Sequence, residues 1–270
     1  MLTVRSFKKM KKKNEPIVML TAYDYPSAKT AESAGIDLIL VGDSLGMTVL
    51  GYSSTLKVKL EDIIHHTKPV RRGAPDTFII ADMPYMSYHL SVKETKANAA
   101  KLITEGNANA VKLEGGSESR IEAIQAIIDC EIPVVAHLGL TPQSINKFGG
   151  YKVQGKSERK YQKIIEQAHQ VQEAGAFMLV LEGIPEGLGR QISETIRIPT
   201  IGIGAGRYTD GQVLVYHDIL GLADFKPKFV KQYSNLTDHI TEDITRYKKE
   251  VKNKEFPLEK HVYFPMKDKK

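Results

Sequence analysis

The chain has one cysteine, Cys130, in 270 residues, so it can form no disulfide bond within itself. A lone cysteine is typical of a reducing compartment, and we expect Cys130 to be a small buried side chain near a helix end. Long apolar runs are also absent, since stretches such as 38–41 and 178–181 are far too short to cross a bilayer. The basic N-terminus lacks the apolar core of a secretory signal. These absences predict a cytoplasmic protein that does not bind membranes.

The positive charge of the chain is confined to its ends. The formal net charge is +6 and the isoelectric point is about 9.1, which could indicate nucleic-acid binding. Five of the six residues from Lys8 to Lys13 are lysine, and the last 50 residues hold another lysine-rich set. Such ends are usually solvated surface, and no zinc-finger spacing or aromatic-rich RNA-binding motif accompanies them. We expect small-molecule substrates and no nucleic acid; a catalytically silent barrel that binds nucleic acid is the alternative from another class.

Short apolar runs alternate with helix-length amphipathic segments along most of the chain. They are rich in Val, Ile and Leu with little polar alternation, as in parallel strands buried on both faces. The runs are IVMLTAYD (17–24), LILVGD (38–43), TFIIADMP (77–84), AVKLEGG (110–116), PVVAHLG (133–139), FMLVLEG (177–183), PTIGIGAG (199–206) and QVLVYHD (212–218). This alternation predicts a (β/α)8 TIM barrel in one domain, residues 1–270. We expect the barrel over about 16–222 and a helical C-terminal extension over about 223–270.

An open, doubly wound sheet is the rival architecture. No GxGxxG motif opens the first helix, and polar residues end most strands rather than two at a switch point, so we favour the barrel. Segments 44–58 and 140–156 are long for loops that follow barrel strands. Long loops at this end of a barrel are often lids, and an ordered surface loop is the alternative.

Acidic residues end several of the predicted strands. Asp24, Asp43 and Asp82 follow strands 1 to 3, and Glu182 lies on strand 6. The carboxyl ends of barrel strands converge on one mouth, so these like charges need a neutraliser, and a divalent cation is the simplest. Asp43 and Asp82 lie on adjacent strands, about 5 Å apart at the backbone, and could share one Mg²⁺; helix caps or buried ion pairs are the alternative. Asp24 is left out of the site because it suits a helix cap.

Other candidate residues allow two interpretations each. Lys112 and Glu114 are two residues apart on strand 4 and point to the same side, where they either face a substrate together or pair inside the barrel. His137, at the end of strand 5, either donates a hydrogen bond in the pocket or is structural. GIGAG (202–206) is either a phosphate-binding turn or a tight turn after strand 7. The chain has no CxxC, HExxH or clustered His/Cys set, which favours Mg²⁺ over Zn²⁺.

Nine segments, in order from about residue 20 to 220, resemble the ketopantoate hydroxymethyltransferase family. They are TAYDYPSA, LVGDSLGM, HHTKPVRRGAP, ADMPYMSY, VKLEGG, HLGLTPQS, FGGYKVQG, LVLEGIP and IGIGAG followed by TDGQVLVYHD. The resemblance implies transfer of a hydroxymethyl group from 5,10-methylenetetrahydrofolate to C3 of 3-methyl-2-oxobutanoate. The product would be 2-dehydropantoate, in pantothenate and coenzyme A biosynthesis. The resemblance also implies a homodecamer.

The resemblance assigns roles to the residues at the strand ends. It implies metal binding by Asp43, Asp82 and Glu114, oxo-acid binding by Asp43, Ser44, Asp82 and Lys112, and proton acceptance by Glu182. These residue types suit the reaction, because Mg²⁺ would stabilise an enolate, Lys112 would pair with substrate charge and Glu182 would remove the C3 proton. Whether Glu114 binds the metal directly or through water is left open.

A second kind of enzyme could use the same residue types. Mg²⁺-dependent lyases and mutases of the phosphoenolpyruvate mutase and isocitrate lyase type also form enolates on barrels. Such enzymes commonly carry a cysteine in a mobile loop, whereas Cys130 falls in a predicted helix. We therefore keep this type as the alternative.

Overall fold

A computed structural model of the chain describes residues 1–223 and 227–265. The chain divides into two compact units: one holds residues 1–216 and 227–230, and the other holds the described residues of 217–223 and 231–265. The predicted single domain with an extension from about 223 stays a prediction. Residues 224–226 and 266–270 of that extension lie outside the described residues.

The first unit is a closed barrel of eight parallel strands whose spatial order is their chain order. The strands are β1 (Ile17–Thr21), β2 (Leu38–Val41), β3 (Phe78–Asp82), β4 (Ala110–Glu114), β5 (Val134–Gly139), β6 (Met178–Glu182), β7 (Thr200–Ile203) and β8 (Gly211–Leu214). The last strand pairs with the first, with Gly211 opposite Ile17, so the sheet has no free edge. The predicted (β/α)8 TIM barrel is confirmed.

Helices follow the strands as the amphipathic segments predict. They are α1 (Val4–Lys12), α2 (Tyr25–Ser33), α3 (Leu45–Thr48), α4 (Leu60–Gly73), α5 (Val92–Thr104), α6 (Glu118–Ile128), α7 (Ile145–Phe148), α8 (Glu158–Glu173), α9 (Glu186–Thr195), α10 (Tyr216–Leu220) and α11 (Leu236–Lys252). Short 3-10 helices cover Thr55–Lys57, Pro142–Ser144 and Glu259–His261. Among the described residues, no helix combines the length and apolar character that a bilayer span requires.

Of two residues at helix ends, Asp24 lies as the sequence predicts and Cys130 does not. Asp24 caps α2, because its Oδ1 accepts from the backbone N–H of Ser27 at 2.8 Å and the helix then begins with Tyr25-Pro26. The expectation of a buried Cys130 is wrong, since the side chain is exposed. Helix α6 ends at Ile128, and Glu131 turns the chain in the left-handed region, so Cys130 lies on the outside of the turn.

Helix α1 covers the N-terminal ends of the strands, whereas its lysines in the sequence suggest only solvated surface. The ring of Phe7 is fully buried, with its centroid 5.2 Å from that of Phe78 and 6.5 Å from that of Phe177. Both partners lie where strands begin. On the other face, Lys11 donates to Asp210 Oδ2 at 2.7 Å, and Asp210 also accepts from the backbone N–H of Thr200 at 2.7 Å. An aromatic cluster and an ion pair therefore close the barrel at the N-terminal ends of its strands.

We expect Phe7→Ala to lower the free energy of unfolding by about 3–5 kcal/mol, because it leaves a cavity among packed rings. Urea unfolding followed by circular dichroism measures the change. Lys9→Ala, on the exposed face of the same helix, is the matched control and should change stability by less than about 0.5 kcal/mol. A loss below about 1 kcal/mol for Phe7→Ala would mean that α1 does not stabilise the barrel.

Candidate active site

The side chains predicted for the site lie together at the C-terminal ends of β2 to β6. Asp82 ends β3, Lys112 and Glu114 lie on β4, and Glu182 ends β6. Asp43 follows β2 by two residues. All are buried except Glu182, whose side chain is 16% exposed and so remains open to the mouth. Parallel strands that end at one level bring these residues together, although they are up to 139 positions apart in the chain (from 43 to 182).

Asp43 and Asp82 are joined through the backbone. The N–H of Asp43 donates to Asp82 Oδ2 at 2.9 Å. This contact requires Gly42, because a Cβ at that position would lie 2.9 Å from Ser44 Oγ and 3.3 Å from Asp82 Oδ2. Burial and the charges of Asp82 and Glu114 raise the pKa of Asp43 well above its usual value. The two carboxylates are therefore crowded and poorly neutralised.

Lys112 is the main cation of the mouth. Its Nζ lies 3.0 Å from Asp82 Oδ1 and 3.3 Å from His137 Nδ1. Burial lowers the pKa of Lys112, but the charges of Asp82, Glu114 and Asp43 raise it more, so the ammonium stays charged. Lys112 thus pairs with Asp82 on the neighbouring strand, and not with Glu114 as the barrel-interior alternative supposed.

His137 connects two carboxylates. Its Nδ1 lies 3.4 Å from Glu114 Oε1, and its Nε2 lies 3.3 Å from Glu182 Oε2, an ion-pair distance without hydrogen-bond alignment. Burial and the Lys112 charge lower the pKa of His137, but the contacts with Glu114 and Glu182 raise it to about 9. The imidazole is therefore a buried cation that faces the proposed base, which favours a pocket role over a structural one.

Gln143 is a site residue that the sequence analysis missed. From the 3-10 helix after β5, its Nε2 donates to Asp43 Oδ2 at 2.8 Å and its backbone N–H donates to Glu114 Oε2 at 3.0 Å. The hydroxyl of Tyr88 donates to Gln143 Oε1 at 2.6 Å and accepts from the Glu114 N–H at 3.2 Å. Both residues lie in segments that carry the family resemblance, HLGLTPQS and ADMPYMSY, which was the available signal.

Ser44 lies at the edge of the mouth, next to Asp43. Its Oγ is 2.7 Å from the hydroxyl oxygen of Tyr23, whose side chain is buried behind it. This contact holds the Ser44 Oγ in place at the edge of the mouth, which suits the substrate-binding role that the resemblance implies.

The long loop after β5 reaches across the mouth. Gly149 and Gly150 have positive φ values of 65° and 114°, which turn the chain back after α7. The hydroxyl of Tyr151 then donates to Met47 Sδ, beyond β2, at 3.3 Å. Burial and the charges of Glu182, Asp43 and Glu114 raise the pKa of Tyr151. The phenol therefore faces the acidic mouth, while the predicted lid motion stays a prediction.

The GIGAG segment forms a tight turn. Gly204 and Gly206 have φ values of 61° and 86°, and a Cβ at Gly206 would lie 2.4 Å from Glu186 Cγ. The Glu186 carboxylate accepts from the backbone N–H of Arg207 at 3.1 Å. A carboxylate at this position favours the turn over a phosphate site.

The mouth holds more negative than positive side chains, which bears on whether it can bind Mg²⁺. Four carboxylates face one lysine and one histidinium, and Asp82 Oδ1 is buried without an aligned hydrogen bond within the described part of the chain. Burial also raises the pKa of Asp82, against the effect of Lys112. Oxygen donors and excess negative charge fit a divalent cation. In residues 1–223 and 227–265, however, no three His, Cys, Asp or Glu side chains are grouped as ligands of one ion.

Comparisons with known proteins agree on one family. A model of the family described as "Ketopantoate hydroxymethyltransferase" matches residues 1–259. The chain is 56% identical over 264 residues to the 3-methyl-2-oxobutanoate hydroxymethyltransferase of Geobacillus sp. (strain WCH70), covering 97% of this chain and 94% of that protein. It is 57% identical to the enzyme of the same name from Bacillus cereus (strain B4264), covering 97% and 95%.

Solved structures with the same architecture are much more distant in sequence. A 2,3-dimethylmalate lyase superposes with a TM-score of 0.62 at 15% identity, covering 97% of this chain and 89% of that one. A phosphoenolpyruvate phosphomutase from Streptomyces platensis subsp. rosaceus gives 0.63 at 11% identity, covering 97% and 92%. At this identity the likeness supports the fold alone.

His137 predicts a pH dependence of stability. Its pKa of about 9 exceeds the usual 6.5, so its stabilising effect is complete below pH 6.5 and is lost as the pH rises through 9. For the metal-free protein in EDTA, we expect the free energy of unfolding to fall by about 3 kcal/mol between about pH 6.5 and 10. His137→Gln should flatten this slope, and His65→Gln, on an exposed surface, should not. Equal slopes in wild type and His137→Gln would contradict a buried histidinium.

Proposed function

The chain belongs to the ketopantoate hydroxymethyltransferase family, and we propose that its acidic mouth is the active site of a 3-methyl-2-oxobutanoate hydroxymethyltransferase in pantothenate biosynthesis. The observation that carries this proposal is the identity of 56–57% to enzymes of that name over 97% of the chain. The reaction adds a hydroxymethyl group to C3 of 3-methyl-2-oxobutanoate. We propose 5,10-methylenetetrahydrofolate as the donor, with water supplying the hydroxyl oxygen and tetrahydrofolate as the second product.

Substrate binding is assigned to the side of the mouth near β2, β3 and β4. Lys112 can place its ammonium against the negative charge of the oxo acid, because it is held charged by Asp82. The Ser44 hydroxyl can donate to a substrate oxygen when the Tyr23 hydroxyl is the donor of the hydrogen bond between the two residues. Asp43 and Asp82 are assigned to the same end of the oxo acid, where a bound divalent cation would offset the repulsion between carboxylates, so that C3 points toward the opposite wall.

Glu182 is assigned the proton transfer. It ends β6, which is separated from β3 by two strands around the barrel, so it approaches the substrate from the wall opposite Asp43 and Asp82. Its carboxylate, 3.3 Å from His137 Nε2, is the group that accepts the proton from C3. The resulting carbanion attacks the methylene carbon of the donor, and both carbon–nitrogen bonds of that carbon break in the course of the transfer. Water supplies the hydroxyl group, and the C3 proton and the second proton of the water end on the two folate nitrogens.

Mg²⁺ is proposed as the metal. Asp43 and Asp82 are the direct candidates to hold it; Glu114, whose oxygens already contact His137 and the Gln143 N–H, is assigned an indirect role. When bound, Mg²⁺ would supply Lewis-acid stabilisation of the negative charge that develops on the substrate. Gln143 orients Asp43, because its Nε2 donates to Asp43 Oδ2.

The lyase or mutase alternative has less support. Structures of that type share the barrel at 10–15% identity, which says nothing about the reaction, whereas the close relatives are hydroxymethyltransferases. The homodecamer and the cytoplasmic location stay predictions.

Metal dependence can be tested by turnover with the oxo acid, methylenetetrahydrofolate and Mg²⁺. We expect EDTA to abolish turnover and Mg²⁺ to restore it. Asp82→Asn should weaken Mg²⁺ binding at least about tenfold in calorimetry, because a neutral amide replaces an anionic ligand. The control Asp129→Asn changes an exposed carboxylate and should bind Mg²⁺ like wild type. Full turnover after exhaustive chelation would remove the metal from the mechanism.

Glu182→Gln should block proton transfer while the fold and oxo-acid binding persist, because an amide cannot accept the C3 proton. Exchange of the C3 hydrogen with D₂O, followed by NMR with Mg²⁺, should slow by about 10²–10⁴-fold. It should be measured with and without tetrahydrofolate. Glu166→Gln, an exposed change on α8, is the matched control. If Glu182→Gln exchanges as fast as wild type under either condition, another group is the base.

A further inference from the structure

A groove of about 630 Å³ opens beside the mouth, between the loops that follow β2 and β3. The loop after β2 contributes Tyr52 and the segment 56–59, and the loop after β3 contributes Tyr85 and Met86. None of these residues takes part in the proton transfer or the oxo-acid binding assigned above. We call it the loop groove.

The loop groove shares its inner wall with the mouth. The 3-10 helix Thr55–Lys57 packs against α3, which directly follows Asp43 and Ser44, and against Pro142–Ser144, which contains Gln143. The Tyr52 ring lies so close to Gly46 that a Cβ there would be 3.4 Å from Tyr52 Cδ2. On the other side, Tyr85 follows Asp82 by three residues. A long ligand whose reactive end is in the mouth can therefore continue into the loop groove.

The lining combines aromatic surface with unpaired cations. Lys57 and Lys59 are exposed, and within the described parts of the chain no carboxylate lies within 4 Å of either ammonium. The Lys57 ammonium lies 5.8 Å from the centre of the Tyr52 ring, which keeps cation and ring together. Tyr85 and Met86 are 39% and 40% exposed, large apolar side chains left in contact with solvent.

The backbone at Met86 is held in a conformation that such a residue rarely adopts. Its φ of +69° lies in the left-handed region, which is uncommon for a side chain with a Cβ. Ser87 fixes the turn, since its hydroxyl donates to the carbonyl of Pro84 at 2.7 Å. Strained residues of this kind cluster at ligand-binding positions, so the turn that presents Tyr85 and Met86 supports a binding role.

We propose that the loop groove binds the aminobenzoyl-glutamate end of the folate donor, an inference that rests on the proposed function. The transferred carbon must lie in the mouth, but the glutamate carboxylates are repelled by the four acids there. The loop groove offers the opposite charge in Lys57 and Lys59 and flat surfaces in Tyr52 and Tyr85 for the benzoyl ring. Each added glutamate brings one more carboxylate, so the groove favours polyglutamylated folate.

The test is the KM for methylenetetrahydrofolate that carries one or three glutamates. In Lys57→Ala/Lys59→Ala we expect the KM for the triglutamate to rise on the order of tenfold, with a smaller rise for the monoglutamate. Raising the salt concentration should weaken triglutamate binding to wild type and affect the double variant less, because exposed charges are screened. Lys57→Arg/Lys59→Arg should retain the wild-type KM, and Lys163→Ala, an exposed lysine on α8, is the matched control.

Direct calorimetric titration with tetrahydrofolate triglutamate separates this inference from the proposed function. If wild type does not turn over yet binds the triglutamate through the two lysines, the proposed reaction fails and the loop groove stands. If wild type turns over, and the alanine variant has the same KM and the same affinity, the loop groove is not the folate site. Circular dichroism should verify that both double variants are folded, as expected for exposed side chains.

Discussion

The ion pair between Lys112 and Asp82 is the contact on which the buried charges of the mouth depend, because Lys112 is the lysine that offsets them. Four carboxylates converge there because parallel strands end at one level, and burial raises the pKa of two of them, Asp43 and Asp82. Lys112 and the His137 cation offset only part of this charge. The negative charge that remains favours the binding of a cation. A bound cation would assist the reaction that this family catalyses. For the folate donor proposed above, the same excess of negative charge favours a position of its glutamate end outside the mouth, against a surface of opposite charge.

The barrel separates the residues that stabilise the fold from those that carry the chemistry. At the N-terminal end of the strands, Phe7, Phe78 and Phe177 form a close-packed aromatic cluster without polar atoms. At the other end, buried charges face one another and Gly42 leaves room for a carboxylate. Burying unbalanced charge costs stability. The packed end of the barrel can offset that cost.

The sequence predicts the barrel and the acidic mouth because both leave a repeated pattern in it, namely apolar runs that are followed by acidic residues. Buried parallel strands are continuous apolar runs, and an acidic residue after such a run can be assigned to the mouth without knowing any distance. Gln143 and Tyr88 could not be predicted in this way, since they reach the site from loops whose course depends on tertiary packing. The sequence leaves the partner of Lys112 open for a related reason: spacing places Lys112 and Glu114 on one side of a strand, but the pairing of β3 with β4 brings Asp82 closer. The sequence does not predict the exposure of Cys130, because a helix boundary two residues away cannot be read reliably from composition.

Lys11 and Asp210, which join α1 to the start of β8, are 199 positions apart. On the ribosome, α1 emerges before the strands of the barrel, yet its surroundings include Phe78, Phe177 and this aspartate, which are synthesised progressively later. The helix can form locally, but it cannot reach its final packing until seven strands have been made and the eighth has begun to emerge. Through most of synthesis, Phe7 and Met10 therefore lack the barrel residues that bury them in the folded protein. The lysines on either side keep this nascent segment hydrated. A helix translated before every strand of the barrel is thus among the last parts of the barrel to be completed.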